Sequence, residues 1–150
     1  MLKSFETDRL LLKELTSDHE ADYAKGFVDY EIIRHMVARV PWPYPDGGVK
    51  EFFDTQVFPF QGKTLWQWGI FLKERPEVLV GSITLRQSDV DNRGFWLAKP
   101  YSGRGYMTEA LAPLTKHAFE DLGFDILRFS NAQGNERSRR IKEKAGARFV

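Results

Sequence analysis

Apolar positions along the chain change period several times, and each change marks an element. Arg9-Leu10-Leu11-Leu12-Lys13-Glu14-Leu15 is a short apolar run of strand length. Thr16, Ser17 and Asp18 then offer helix N-caps, so residues 20–27 read as a first helix. Ile32, Ile33, Met36, Val37 and Val40 recur at a spacing of three to four and predict a second helix over residues 30–40. Three prolines and two glycines between Pro41 and Gly48 forbid regular hydrogen bonding, which makes that stretch a loop. Residues 49–58, with Phe52, Phe53 and Val57 on one side, read as a third, short helix.

Beyond Thr64 the pattern turns aromatic and β-branched. Residues 65–72 and 78–85, joined by a turn at 74–77, predict an antiparallel pair, and Gly94-Phe95-Trp96-Leu97 predicts a further strand. From Gly105 the period becomes helical again. Met107, Leu111, Leu114, Ala118 and Leu122 form one buried stripe, with a kink expected at Pro113, which has no amide to offer the Glu109 carbonyl, and Gly123 as the stop. Residues 126–130 read as a strand, 136–145 as a last helix, and 147–150 as the start of another strand. The expected class is α/β (α+β): one domain over residues 1–150, with a mixed, mainly antiparallel central sheet flanked by helices.

Composition narrows the function classes. A chain of 150 residues buries roughly 68–70% of its unfolded surface and needs no disulfide or structural metal. It has no cysteine, which excludes a thiolate metal site and a cysteine nucleophile and suits a cytoplasmic location. A formal net charge of +1 argues against a nucleic-acid partner. No apolar run is long enough to span a membrane, the start has no secretory pattern, and His19, His35 and His117 lack metal-ligand spacing.

The chemistry concentrates at Gly103-Arg104-Gly105, between a strand and a helix. Glycines there let the backbone approach a ligand, and the free amides of the first helical turn face an anion; the same dipeptide pattern also reads as a plain strand-to-helix elbow. A dinucleotide fingerprint is excluded because Thr108 occupies its third small position. Gly62-Lys63-Thr64 resembles the end of a P-loop, but Val57 stands where the first glycine belongs and a strand follows.

Tyr101-Ser102-Gly103-Arg104-Gly105-Tyr106-Met107-Thr108-Glu109-Ala110, with Gly94-Phe95-Trp96-Leu97 before it, is similar to the acetyl-CoA motif of GNAT N-acetyltransferases, in its RimJ/RimL-type variety. Asn135-Glu136-Arg137-Ser138 with Glu143-Lys144-Ala145-Gly146 resembles the second signature of that superfamily, and Thr7-Asp8-Arg9-Leu10-Leu11-Leu12 its opening strand. The resemblance implies that acetyl-CoA is the cosubstrate and a primary amine, either a protein N-terminus or a small molecule, the acceptor. It implies that the backbone of Trp96, Leu97 and Ala98 holds the pantetheine arm and that Gly103, Arg104, Gly105, Tyr106, Met107 and Thr108 cradle the pyrophosphate. It further places Asn135 on the cofactor and Ser138 near the thioester sulfur.

Direct transfer requires a neutral amine, donors for the oxyanion and a proton for the departing thiolate. Many members place a tyrosine seven residues after the Asn for that last task; here the position is Lys142, which makes Ser138 the candidate general acid. A serine in a first helical turn reads equally well as a cap. The basic residues of the last helix (Arg137, Arg139, Arg140, Lys142 and Lys144) read either as attraction for CoA phosphates or as a solvated face with local ion pairs. Trp42, Tyr44, Trp66 and Trp68 read as core or as acceptor-pocket lining. Pro100 departs from the usual Gln or Arg before the first motif glycine. The family continues past the Gly146 region with a further strand or two. This chain stops at Val150, so the last strand or strands are expected to be missing, with an open edge beside the acceptor site. The readings are a shortened form, a sheet completed by a partner as in a homodimer, or compromised activity, which would leave a non-catalytic CoA-binding module of the same fold.

Overall fold

The computed structural model describes residues 2–34, 40–129, 136–144, 146 and 148. Five strands lie in sequence order in one sheet: β1 (Phe5–Glu6), β2 (Leu10–Glu14), β3 (Leu65–Leu72), β4 (Leu79–Arg86) and β5 (Arg93–Leu97). Every neighbouring pair is antiparallel. Among the described residues five α-helices accompany them: α1 (Glu20–Phe27), α2 (Tyr30–Ile33), α3 (Gly48–Phe52), α4 (Tyr106–Glu120) and α5 (Glu136–Lys144). No helix of the described residues is long and apolar enough to cross a membrane.

Alternation along the strands gives the sheet two apolar faces, each with its own cover. On one, Leu10, Leu12, Trp68, Ile70, Ile83 and Leu85 meet Met107, Leu111, Leu114 and Ala118 of α4. The other carries Leu15, Phe71, Leu79 and Trp96, which meet Tyr23 and Phe27 of α1 and Phe53 beyond α3. The stripe read from the sequence is thus buried as far as Ala118; Leu122 falls beyond the end of α4 and is half-buried. Pro113 sits inside α4, whose helical assignment continues through it to Glu120.

Two expectations are corrected. The third helix keeps its α form only to Phe52, and a wider π-type turn over Phe53–Val57 completes it, which sends both Phe53 and Val57 into the core. Ile126, Leu127, Arg128 and Phe129 are not in a strand: a single residue, Arg128, is held through both its amide and its carbonyl by Asn92. An apolar run of that length carries no period that distinguishes a paired strand from an extended segment tied at one point. The second helix is α-helical over Tyr30–Ile33, Val40 is outside any helix, and residues 35–39 between them lie outside the described residues, as do Ser130, Asn135, Ala145 and Ala147.

Sheet geometry depends on Gly81. At the Ile70/Phe71 register shift β4 carries one extra residue, and a methyl group at Gly81 would overlap the Trp96 carbonyl oxygen of β5 and touch the Leu97 Cα. Both obstacles are backbone, so relief requires moving the strand. We expect Gly81→Ala to cost about 2 kcal/mol and to lower Tm by roughly 4–8 °C in calorimetry.

Candidate functional site

The turn between β5 and α4 is built around two left-handed residues. Gly103 has φ +78° and Gly105 φ +81°, a region that costs an L side chain roughly 1–2 kcal/mol. Gly105 is the N-cap of α4, and the first helical amide to reach a backbone acceptor is that of Glu109, on the Gly105 carbonyl at 3.1 Å. Among the described residues, the amides of residues 103–108 have no protein acceptor. Gly103, Arg104 and Gly105 are exposed. A run of amides without a protein acceptor at the positive end of a 15-residue helix is an anion-binding arrangement.

The turn is held from a distance of about a hundred residues in sequence. Glu109, in the first turn of α4, accepts the Arg9 side chain at 2.7 Å, the Arg9 amide at 3.0 Å and the Thr7 hydroxyl at 2.5 Å. Arg9 also donates to the Arg104 carbonyl at 3.0 Å and lies over the Tyr106 ring at 4.4 Å. Thr7 in turn closes the β1–β2 hairpin by accepting the Leu10 amide. Partial burial alone would raise the Glu109 carboxyl; the hydrogen bonds from Thr7 and Arg9 outweigh it and hold the group below its ordinary 4.5. Sequence reasoning placed Thr7 and Arg9 only in an opening strand and gave Glu109 no role, because a hairpin-to-helix contact leaves no local pattern.

The open edge of β5 forms the second part of the site. The Ala98 amide donates to the Val80 carbonyl at 2.8 Å and the Arg86 amide to the Asn92 carbonyl at 2.9 Å. These two bonds fix the phase of the β4–β5 ladder: the backbone of Trp96 pairs with β4, whereas the N–H and C=O of Arg93, Phe95 and Leu97 point outward. Beyond the Asn92–Arg128 tie, no backbone hydrogen bond joins β5 to residues 126–129. The backbone groups of Phe95 and Leu97 therefore face away from β4, and those of Trp96 and Ala98 face it. The Trp96 indole is buried against Tyr23 and Phe27, with ring centroids 5.0 and 5.5 Å away.

Helix α5 supplies the third part. Ser138 is half-buried in its first turn, and Asn135 lies outside the described residues. Four residues after Ser138, Lys142 projects its Nζ over the rings of Phe95 at 5.6 Å and Phe129 at 5.7 Å. Burial, with the nearby Arg93 charge, lowers the Lys142 amine to about 8. Arg93 is itself buried at the start of β5, stacked 4.0 Å over Phe129, and burial lowers its guanidinium to about 10. Arg139, by contrast, pairs with Glu143 at 2.9 Å and with Glu136 at 4.0 Å, which is the local ion-pair reading of the basic helix. Of the four aromatic candidates for the acceptor side, Trp66 and Trp68 are core residues. Tyr44 is half-buried against Phe27, and Trp42 is exposed beside Tyr30.

The depressed Glu109 carboxyl stabilises the fold at any pH above its unfolded value, and the contribution disappears as pH falls through the lowered folded value. We expect Glu109→Gln to lose about 1.5 kcal/mol at pH 7, a Tm decrease of roughly 3–6 °C. The gap between variant and parent should hold constant from neutral pH to about 5 and close on further acidification, as read by Tm against pH.

Comparison with known proteins agrees with this geometry. Residues 9–148 match the family model described as an acetyltransferase (GNAT) domain. Over 72 residues the chain is 39% identical to YdaF of Bacillus subtilis (strain 168), provisionally named a ribosomal N-acetyltransferase. That stretch covers 45% of this chain and 39% of the relative, so the match spans about two fifths of the relative's length. The fold is that of an acetyltransferase from Agrobacterium tumefaciens C58, with a TM-score of 0.83 at 21% identity, covering 100% of this chain and 86% of the other. A ribosomal-protein-S5-alanine acetyltransferase from Vibrio fischeri superposes with a TM-score of 0.77 at 16% identity, covering 96% and 82%. The motif turn at residues 103–108, the five-stranded sheet and a family match over nearly the whole chain lead to one assignment: this chain belongs to the GNAT acetyltransferase family.

Proposed function

We infer that this chain transfers an acetyl group from acetyl-CoA to a primary amine, with a protein N-terminal α-amine as the acceptor class. The observation that carries the donor is the turn at residues 103–108, whose amides have no protein acceptor and stand at the positive end of α4. A pyrophosphate fits such a turn through hydrogen bonds to amides, with no need for a formal positive charge. From there the outward groups of Leu97 and Phe95 offer an amide-bearing arm the same bonds that a further strand would make. The acceptor class is supported by relatives whose names place their action on ribosomal proteins.

Within this reading Ser138 and the edge of β5 flank the thioester. The amine attacks the carbonyl carbon, the outward amides of β5 are the donors within reach of the developing oxyanion, and Ser138 gives the departing thiolate its proton. The RimJ/RimL-like character and the roles of Gly103, Arg104, Gly105, Tyr106, Met107, Thr108 and Asn135 belong to this proposal.

A thermal-shift titration tests the donor first. At acetyl-CoA a hundredfold above Kd the fold should gain about 2.7 kcal/mol and Tm should rise by roughly 5–10 °C. Gly105→Glu, which forces a side chain and a negative charge into a turn at φ +81°, should abolish the rise; an unchanged rise would remove the turn from the site. Turnover is then read by thiol release, free of background in a chain without cysteine. Ser138→Ala should lower kcat by roughly 100-fold with a smaller effect on KM, and unaltered turnover would take Ser138 out of the mechanism. A Tm rise with no thiol release to any amine would make the chain a CoA-binding module.

A further inference from the structure

We propose that Lys142 is a self-acetylation site: its ε-amine takes the acetyl group from a thioester lying along the open edge of β5. The inference rests on the reading above, that acetyl-CoA is the donor, and adds a second acceptor within the chain itself. Its basis is placement. Lys142 lies one helical turn after Ser138, so the two share a face of α5. Its Nζ sits over the ring of Phe95, whose own N–H and C=O point out along the edge of β5. The side chain is half-buried among Phe95 and Phe129, which shields it from bulk water.

The chemistry needs an unprotonated amine. Arg93, at the start of β5, disfavours the Lys142 ammonium form, and Asp91, in the loop before that strand, weakly favours it. On its own helix Arg139 and Glu143 are engaged with one another. With the amine at about 8 instead of the ordinary 10.5, the neutral fraction at pH 7 is roughly 300-fold larger than for a typical lysine. Lower basicity makes each neutral amine a weaker nucleophile and returns part of that advantage. In the transfer the amine lone pair forms the N–C bond to the thioester carbonyl, the C–S bond breaks with its electrons on sulfur, and the proton released from nitrogen passes to the thiolate. The products are N-acetyl-lysine and free CoA, and no co-reactant is required.

The test is incubation of the full chain with acetyl-CoA and no acceptor, followed by peptide mapping, with the thermal shift measured in parallel. Lys144, exposed on the same helix, is the internal comparison. Acetylation of Lys142 should exceed that of Lys144 by at least about tenfold at pH 7.5, and should level off above about pH 8. Lys142→Arg, which keeps the charge, should remove this incorporation. Trace labelling with acetic anhydride, which needs no binding site, reports the intrinsic reactivity of the amine separately. If acetyl-CoA raises Tm but Lys142 is acetylated no faster than Lys144, the self-acetylation site is refuted and the donor reading stands, whatever the anhydride shows. If acetyl-CoA produces no Tm rise, the donor reading falls and the self-acetylation site falls with it.

Discussion

An amide that is to bind an anion must be left without a protein partner and still be held in place, and these two demands oppose each other. Secondary structure fixes amides by pairing them, so a turn such as residues 103–108 loses the usual means of fixation as soon as it becomes useful. Glu109 resolves the conflict. Its carboxylate takes the Thr7 hydroxyl and both the backbone and the side chain of Arg9, while Arg9 reaches on to the Arg104 carbonyl. The turn is therefore gripped through its carbonyl and its flanking helix, and its amides stay free. The first hairpin of the chain acts as the brace for a loop that follows the last described strand, which gives the short β1 strand a purpose beyond extending the sheet.

The same economy governs the edge of β5. A strand presents half its backbone groups to each side, so an outermost strand always exposes one set. Here the phase of the ladder decides which residues those are, and the phase follows from the pairing of Ala98 with Val80 and Asn92 with Arg86. Gly81 lets β4 come close enough to the Trp96 carbonyl for that pairing to hold beside a register shift. The Trp96 side chain then anchors the strand into the α1 face. A large buried indole and a missing methyl group thus set the position of groups on the opposite edge of the strand.

How much of this was legible in the sequence depended on the range of the interactions. Helix α1 was read with its observed bounds, and Met107, Leu111, Leu114 and Ala118 were read as one stripe, because a helical period is written in neighbours three and four apart. The motif turn was readable because its two glycines are demanded by backbone conformation at their own positions. The Glu109 brace was not, since Thr7 and Arg9 lie about a hundred residues away and nothing local in either segment calls for the other. Which of Phe95, Trp96 and Leu97 turn their backbone groups outward was equally hidden: alternation gives the period of a strand but not its phase against an unknown neighbour. Residues 126–130 were read as a strand on apolar content alone, although among the described ones Asn92 secures Arg128 and pairs no other residue of that run.

The two ends of the site use opposite electrostatics, and burial explains why. At the turn Arg9 is already matched by Glu109 and the Arg104 side chain stands exposed to water, so the helix dipole and the neutral amides are the fixed groups that would face an anion. Neutral donors suit that place, since each exposed ion pair gains little against solvent. At the Phe95 end the cations are shielded: Arg93 is buried, and Lys142 is half-buried over aromatic rings, with Asp91 among the groups that offset the repulsion. There the cost of charge falls on Lys142, whose amine at about 8 gives up its proton before the Arg93 guanidinium at about 10 does. A chain with net charge +1 therefore has no need of a strong overall field to accommodate a polyanionic donor. In the proposed reading the anion is left to the backbone amides of residues 103–108.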